Sequence, residues 1–313
     1  MKLGIALEGI RPAAELATLA ARIEKLGFAS LWTPDHVSYT QPISDPFQVL
    51  SVCAAATRRL TLGTCVYLLP LRHPTLVAKL TASFDWLSGG RLVLGIGVGG
   101  EFAGEFAACE VPIAERGARA TEAIPIVRAL WRGAEPPSGR FFRVPATRIA
   151  PAPLQPGGPP IWVGGRSEAA LRRAAWLGDG YLGYFLDPPG VRARLARLRD
   201  LRAEAPDAER RGAPLTMAMQ TFVRTEDDRE RALARVTARL GAMYGAETER
   251  AAGRFAIVGT QEDCRRRLTE LADAGVEHLI CSPVVESDDL EEQLERLALI
   301  TTSSANLERS PGS

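Results

Sequence analysis

Residues able to move a proton follow three of the predicted strands in this chain: Glu8, the pair Asp35-His36, and Glu101. An imidazole, whose pKa in water is about 6.5, can hold or deliver a proton at neutral pH. A carboxylate in the same place can exchange a proton with a substrate or fix it by hydrogen bonds. A structural histidine and solvated loop acids are the alternatives, and the sequence leaves them open. His36, Glu8 and Glu101 are therefore candidate catalytic residues.

A second chemical signal is the run Gly164-Gly165-Arg166-Ser167, which follows an apolar strand and opens a predicted helix. Free N–H groups at a helix N-terminus, together with a hydroxyl and a guanidinium, favour a phosphate site. The alternative is a tight turn in which Ser167 is an ordinary N-cap.

Strands and helices that could position these residues alternate along the chain, which is typical of a (β/α)8 TIM barrel. In that fold the functional residues gather at the C-terminal ends of the strands. Eight strands are predicted, at Lys2–Leu7, Ser30–Thr33, Leu60–Tyr67, Arg91–Ile96, Ile161–Gly164, Gly180–Gly183, Leu215–Val223 and His278–Ser282. Helices are predicted at Pro12–Leu26, Pro46–Thr57, Thr75–Leu87, Arg116–Trp131, Glu168–Leu177, Gly190–Ala205, Asp227–Ala246, Thr260–Ala274 and Leu290–Ile300.

Insertions at the C-terminal face interrupt this alternation. Glu101–Val111 is predicted to be a loop or short helix, and the proline-rich stretch Pro136–Pro160 to surround a hairpin. The hairpin strands are predicted at Phe141–Val144 and Arg148–Ala150, and an irregular link at Gly253–Val258. The barrel domain is expected to span 1–300, followed by a disordered tail over Thr301–Ser313.

The apolar spacing of the helix at Thr75–Leu87 places Leu76, Leu80, Phe84 and Leu87 on one face, as expected for an amphipathic helix.

Composition excludes several classes of function. The 313 residues carry a net charge of +1 without an arginine-rich run interleaved with aromatics, so nucleic acid is not an expected partner. No apolar run is long enough to span a bilayer, and Met1 leads directly into a strand without a secretion signal. Five scattered cysteines predict reduced thiols in a cytoplasmic protein.

Histidine and lysine positions narrow the chemistry further. Three well-separated histidines argue against a metal site, and His278, which begins a strand, is expected to be structural. A Schiff-base aldolase needs a lysine in the barrel mouth, and none of the lysines follows a strand.

The series LGTCV, RHP, LSGGRLVLGIGVGG and an EF pair resembles the bacterial luciferase-like monooxygenase superfamily. That superfamily includes flavin-dependent monooxygenases and oxidoreductases that use the deazaflavin F420. The similarity extends from Met1 to about Ile300. It implies the same (β/α)8 barrel, and relatives are frequently homodimers, so a homodimer is expected.

The resemblance also implies how a cofactor would bind. Its phosphate would rest on Gly164, Gly165, Arg166 and Ser167. Its ring would lean on a bulge at Thr64, Cys65 and Val66, where the family often has a non-prolyl cis peptide, placed here at Cys65–Val66. The alternative for that segment is an ordinary core strand with a buried cysteine. Asp35 would lie near the ring and His36 near the reacting carbon, and the remaining cofactor-binding candidates are Gly97, Gly99 and Gly183.

By this resemblance the protein transfers hydride between F420 and a small organic substrate. Asp35-His36, the GIGVGG segment and a composition typical of a GC-rich genome favour F420, although Arg166 would have to replace a lysine that some F420 relatives place near the phosphate. The first alternative is a monooxygenase that uses FMN reduced by a separate reductase. The second is a non-enzymatic protein that binds a flavin or deazaflavin.

Overall fold

Parallel strands close into a ring in the computed structural model, which describes residues 1–286 and 289–307. The strands are β1 (Lys2–Ala6), β2 (Ser30–Thr33), β3 (Thr61–Thr64), β4 (Tyr67–Leu68), β5 (Leu92–Gly97), β6 (Ile161–Gly164), β7 (Gly180–Tyr184), β8 (Thr216–Thr225), β9 (Ile257–Gly259) and β10 (His278–Pro283). β1 pairs with β2 and with β10, and β10 pairs back to β8, so the sheet has no open edge there. β4 continues β3 beyond a break, and β9 pairs with the extended end of β8. The predicted (β/α)8 TIM barrel is confirmed.

Helices surround the barrel. They are α1 (Ala13–Lys25), α2 (Pro46–Ala56), α3 (Pro74–Ser88), α4 (Ala103–Ala108), α5 (Arg116–Trp131), α6 (Glu168–Leu177), α7 (Pro188–Ala203), α8 (Ala208–Gly212), α9 (Arg229–Tyr244), α10 (Ala246–Phe255), α11 (Gln261–Asp273) and α12 (Leu290–Leu307). In the part of the chain that the structure covers, no helix has both the length and the apolar character needed to cross a bilayer.

The chain between β8 and α11 differs from the prediction. The helix predicted over Asp227–Ala246 ends at Tyr244, because Gly245 turns the chain with φ +84° into α10. α10 and β9 replace the irregular link predicted at Gly253–Val258. At the C-terminus, α12 continues to Leu307, so the first part of the predicted tail is helical, and residues 308–313 lie outside the described residues.

The hairpin predicted at Phe141–Val144 and Arg148–Ala150 is wrong, because no strand occurs between β5 and β6 in the described chain. The backbone there finds a side-chain acceptor instead. The Glu122 carboxylate accepts hydrogen bonds from the amides of Arg140, Phe141 and Phe142. Glu122, about 20 residues upstream, therefore accepts hydrogen bonds from backbone N–H groups that a hairpin would have paired with carbonyl groups of its other strand.

The apolar face predicted on α3 points outward. Leu76, Leu80 and Leu87 are 68%, 37% and 73% exposed, whereas Phe84 at the edge of that face is buried. The helix packs on the barrel through the neighbouring face that carries Val77. Helical periodicity correctly predicted that these leucines share one face of α3, but it did not predict that the face points to solvent.

His278 lies buried in the lower half of the barrel, as expected for a structural histidine. Its Nε2 lies 2.6 Å from the hydroxyl of Ser30, which also accepts a hydrogen bond from the Trp32 indole N–H. The rings of Trp32 and Trp162 stack at 5.1 Å and meet the imidazole edge-on. Burial lowers the pKa of His278 to about 4, so the imidazole is neutral in the folded protein.

This histidine makes folding sensitive to acid. Its pKa in the unfolded chain is about 6.5 and in the fold about 4, so between these values only the unfolded state takes up the proton. The stability that the neutral imidazole contributes to the fold is fully present above pH 6.5 and is lost as the pH falls to 4. We expect the free energy of unfolding of the wild type to fall by about 3 kcal/mol between pH 7 and pH 4 because of this histidine, and His278→Gln to lack that decrease. Urea unfolding at the two pH values measures the difference. His73→Gln, at an exposed histidine, is the control, and equal pH slopes for wild type and His278→Gln would contradict the assignment.

Candidate active site

A cavity of about 1260 Å³ opens at the C-terminal ends of the barrel strands. Pockets for a single small ligand usually measure roughly 300–1,000 Å³, so this one has room for a cofactor and a substrate together. The sequence-predicted residues that line it are Glu8, Asp35, His36, Cys65, Val66, Gly97, Gly99, Glu101, Gly164, Gly165, Arg166, Ser167 and Gly183. Thr64 does not line it.

The third strand is interrupted between Thr64 and Tyr67, and Cys65 and Val66 form the bulge in the cavity wall. The Cys65–Val66 peptide is cis, which confirms the prediction from the resemblance. Thr64 lies behind the bulge, where its hydroxyl donates to the carbonyl of Gly95 at 2.7 Å. Burial raises the pKa of the Cys65 thiol, so this residue acts as a wall and not as a thiolate nucleophile.

Two glycines on neighbouring strands make room for the bulge. A Cβ added to Gly97 would lie 2.3 Å from a methyl of Val66, and one added to Gly164 would lie 3.0 Å from the other methyl. Val66 therefore occupies the volume that side chains would fill at these positions. Gly97 therefore serves the cavity by making room for Val66.

The turn at Gly164–Ser167 joins β6 to α6 at one end of the cavity. Gly165 has φ +129°, a conformation that favours glycine, and its carbonyl accepts a hydrogen bond from the Tyr181 hydroxyl at 2.9 Å. Ser167 is the N-cap of α6, accepting from the amide of Ala170 at 3.2 Å. The first amides of α6 and the Arg166 guanidinium form a positive end of the cavity that suits a phosphate.

Asp35 belongs to a buried ion pair. Its carboxylate accepts two hydrogen bonds from Arg72, at 2.5 and 2.8 Å, and one from the amide of Leu68. Burial raises the pKa of Asp35, and the Arg72 guanidinium opposes that rise. The guanidinium also lies 4.5 Å from the ring centre of Tyr67. Asp35 thus ties the end of β2 to the chain leaving the bulge, a role that its predicted place near the ring did not include.

His36 is held by a carboxylate that the sequence did not connect with it. Glu105, on α4, is completely buried, and its oxygens lie 3.2 and 3.3 Å from Nδ1 of His36. It also accepts the amide of Val37 at 3.1 Å. A carboxylate on Nδ1 fixes the tautomer and the orientation of the ring, which leaves Nε2 as the nitrogen available to a substrate. The imidazole stacks on Tyr39, with ring centres 4.3 Å apart.

The two other predicted acids differ from each other. Glu8 is paired, since its carboxylate lies 3.1 Å from the guanidinium of Arg239 on α9. Glu101 is exposed at the start of the loop after β5 and lines the same cavity. The structure brings both acids to the mouth with His36, and leaves Glu8 partly neutralised by its partner.

Several residues that line the cavity were not among the sequence-predicted site residues: Tyr39, Phe102, Tyr184, Arg239, Tyr244 and Phe255. Glu105, behind the wall, was not predicted to be the partner of His36. Most lie in the insertions after the strands, where spacing gives no signal of the partner. The one available hint for Glu105 was the EF pair of the family pattern, which corresponds to Glu105-Phe106 in this chain. In the described residues, no group of three or more His, Cys, Asp or Glu side chains could hold a metal ion.

Comparison with known proteins agrees with this geometry. The model of the luciferase-like monooxygenase family matches residues 3–278. The chain belongs to that family. The relatives of this protein include F420-dependent enzymes and FMN-dependent enzymes.

Relatives of both kinds are similar to this luciferase-like protein. F420-dependent glucose-6-phosphate dehydrogenase of Nakamurella multipartita is 30% identical over 298 residues, covering 90% of this chain and 82% of the relative. The oxygenase component of flavin-dependent trigonelline monooxygenase of Acinetobacter baylyi is 34% identical over 154 residues, covering 49% of this chain and 43% of the relative. The crystal structure of monooxygenase RslO1 from Streptomyces bottropensis superposes with a TM-score of 0.82 at 26% identity, covering 99% of this chain and 100% of that one.

The residues of this family member fit either cofactor. F420 and FMN each combine a flat tricyclic ring with a phosphate. The bulge offers the ring a flat apolar surface, and the Gly164–Ser167 turn offers the phosphate its amides and a guanidinium.

The space that Gly97 leaves for Val66 can be tested by adding one methyl group at position 97. Because a Cβ at Gly97 would overlap Val66, we expect Gly97→Ala to displace the bulge and lower the affinity for F420 or FMN about tenfold or more, in line with the cost of overpacking. Gly104→Ala is the control, since a Cβ there meets nothing within 4 Å. Absorbance titrations measure the affinities, and thermal melts verify the fold. A Gly97→Ala protein that binds cofactor as tightly as wild type would show that the bulge is not the ring's support.

Proposed function

We propose that this protein is an F420-dependent oxidoreductase that transfers hydride between the deazaflavin and a small organic substrate. The observation that carries the proposal is the oriented His36–Glu105 pair in the cavity wall. Hydride transfer to a carbonyl, or from an alcohol, requires a proton to move at the oxygen. When bound, F420 supplies the hydride acceptor or donor.

The side chains of this protein would do the rest. Nε2 of His36 gives or takes the proton at the substrate oxygen, and Glu105 keeps the ring directed toward the cavity. Arg166, Ser167 and the amides of α6 hold the phosphate, while Cys65 and Val66 support one face of the ring. The other face is left to the substrate. Met243 and Phe255, on the helical pair α9–α10, line the same cavity and add apolar surface to it.

The choice of F420 is also supported by similarity. The relative named for F420 aligns over 90% of this chain. The similarity to trigonelline monooxygenase covers about half of each protein. The longer alignment with the F420-dependent relative favours F420 as the cofactor.

The second candidate is an FMN-dependent monooxygenase supplied by a separate reductase. It is favoured by the superposition on monooxygenase RslO1 over nearly the full chain and by the trigonelline relative, which is an oxygenase component. In this case His36 would hold the substrate or a proton near the reduced ring, and the same cavity residues would bind the cofactor.

Absorbance titration separates the candidates, because deazaflavin and flavin spectra differ. We expect F420 to bind more tightly than FMN, and His36→Ala to reduce turnover of F420 with a panel of alcohols by about 10²- to 10⁴-fold. Cofactor affinity should stay within about twofold, because the histidine contributes a proton and not the cofactor's phosphate site. His73→Ala, at a histidine that caps α3, should leave turnover unchanged.

Each alternative has its own outcome. Tight FMN binding without F420 binding supports the monooxygenase. Binding of either cofactor with no turnover by wild type on any substrate or with oxygen supports a carrier. Failure of both cofactors to bind contradicts the proposal.

A homodimer is the proposed assembly. α2 contains no charged side chain, and the adjacent α3 exposes Leu76, Leu80 and Leu87 at spacings of four and seven residues, close to the repeat of a helix–helix seam. An outward apolar stripe of this kind marks a protein contact, and a second copy presents the same stripe. Light scattering should give the mass of two chains for wild type and of one chain for Leu80→Arg. A monomeric wild type would contradict this assembly.

A further inference from the structure

Two aromatic walls face the substrate end of the cavity. On one side, Tyr39 stacks on His36, and Phe102 meets both rings edge-on with ring centres 5.0 and 5.2 Å away. These residues come from the loops after β2 and β5. Because stacked and edge-on rings hold one another in place, this wall is a preformed apolar surface.

The second wall comes from β7 and the α9–α10 pair. Phe185 lies 5.4 Å from Tyr244 and 5.8 Å from Phe255, measured between ring centres, and Tyr184 lies 3.9 Å from Phe185. Both walls line the same cavity. Burial is the main cause of the raised pKa of Tyr244.

The polar groups between the walls are few and specific. The Tyr184 hydroxyl donates to the Tyr244 hydroxyl at 2.7 Å. Tyr244 therefore keeps its own hydrogen to donate to an oxygen of a ligand, and its raised pKa keeps the phenol protonated.

The charges at this end are nearly balanced, with one carboxylate in excess once Arg166, whose guanidinium lies 6.0 Å from the Phe185 ring centre, is taken by the cofactor's phosphate. Away from Arg166 at the phosphate turn and the Asp35–Arg72 pair, the described lining residues carry three glutamates against two arginines: Glu8, Glu101 and Glu247, with Arg11 and Arg239. Arg239 is engaged by Glu8 at 3.1 Å, and Arg11 donates to the carbonyl of Glu8 at 2.7 Å. No lysine occurs among the described lining residues.

From these walls and charges we infer that the substrate is an aromatic compound that is uncharged or cationic, held between Tyr39 and Tyr244, and that phosphorylated substrates are excluded. A planar ring fits between aromatic walls, and a cation is attracted both by their π faces and by the glutamates. A phosphate dianion would meet three carboxylates and two guanidinium groups, of which the Arg239 group is already paired with Glu8. The inference rests on the proposed function for the position of the cofactor, and it separates this protein from its relative named for glucose 6-phosphate.

A charge series with one common ring tests the inference. The probes are benzyltrimethylammonium, benzyl alcohol and benzyl phosphate, with cyclohexylmethanol as the non-aromatic match to the alcohol. Calorimetric titrations use protein saturated with whichever cofactor binds, so that neither the ring site nor the phosphate turn is open to a probe. We expect the ammonium compound to bind at least as tightly as the alcohol, and benzyl phosphate to bind at least about tenfold more weakly.

Variants assign the effect to the residues. Tyr39→Leu should weaken both aromatic probes about 2- to 12-fold, the range for loss of an aromatic pair, and bring benzyl alcohol close to cyclohexylmethanol. Glu101→Gln removes one negative charge from the cavity, so it should reduce the ratio of the affinity for benzyltrimethylammonium to the affinity for benzyl phosphate. Glu209→Gln, at an exposed glutamate on α8, is the matched control and should change neither.

Opposite results overturn the inference. These are tightest binding by benzyl phosphate or glucose 6-phosphate, equal affinity for benzyl alcohol and cyclohexylmethanol, or a charge preference unaffected by Glu101→Gln. If neither cofactor binds, the proposed function fails. The same titrations, performed with inorganic phosphate to fill the turn, then test the aromatic site by itself.

Discussion

The contact between Val66 and the bare backbone of its neighbouring strands is the constraint on which the cavity depends. A strand that continued straight from Thr64 to Tyr67 would pack on β5 and leave no projection into the barrel mouth. Because Gly97 and Gly164 lack side chains, the bulge can sit against both β5 and β6. The surface that Cys65 and Val66 present to the cavity exists for this reason.

Two buried carboxylates then fix what surrounds the bulge. Asp35 joins the end of β2 to Arg72, beyond the bulge, and Glu105 joins α4 to His36. Both acids bridge segments far apart in sequence, 37 and 69 residues respectively. Removing one partner of such a pair leaves an unpaired charge in a site of low polarity, which is costly. The mouth is therefore preorganised by these two carboxylates and their hydrogen-bond partners, while the barrel beneath it is held by apolar packing around the Trp32–Trp162 stack.

Local signals explain why so much of the barrel could be predicted. α6 begins after Ser167 and ends at Leu177, as the sequence indicated, because an N-cap serine and Gly178 mark its ends. The strands were recognised from short apolar runs that end in glycine or in polar residues. The direction of α3 could not be predicted this way, since a leucine stripe suits a core and a protein contact equally.

The lining of the cavity was predictable at the strand ends and in short consecutive motifs, whereas the hydrogen-bond partners of its residues were not. The turn at Gly164–Ser167 and the bulge at Cys65–Val66 are short motifs, and both line the cavity. The partner of His36 was missed because Glu105 becomes its neighbour only when α4 folds over the mouth. The loop at 140–142 was mistaken for a hairpin for the same reason, since its acceptor is Glu122 on α5. Long-range hydrogen bonds of this kind leave no periodic trace in a sequence.

The most direct test of this account is a crystal structure of the protein with its cofactor bound. The account predicts the tricyclic ring in contact with Cys65 and Val66, within about 4 Å, and the phosphate within about 3 Å of the amides at the start of α6. A ring bound elsewhere in the cavity, with the bulge and the Gly164–Ser167 turn both in contact only with solvent, would contradict it.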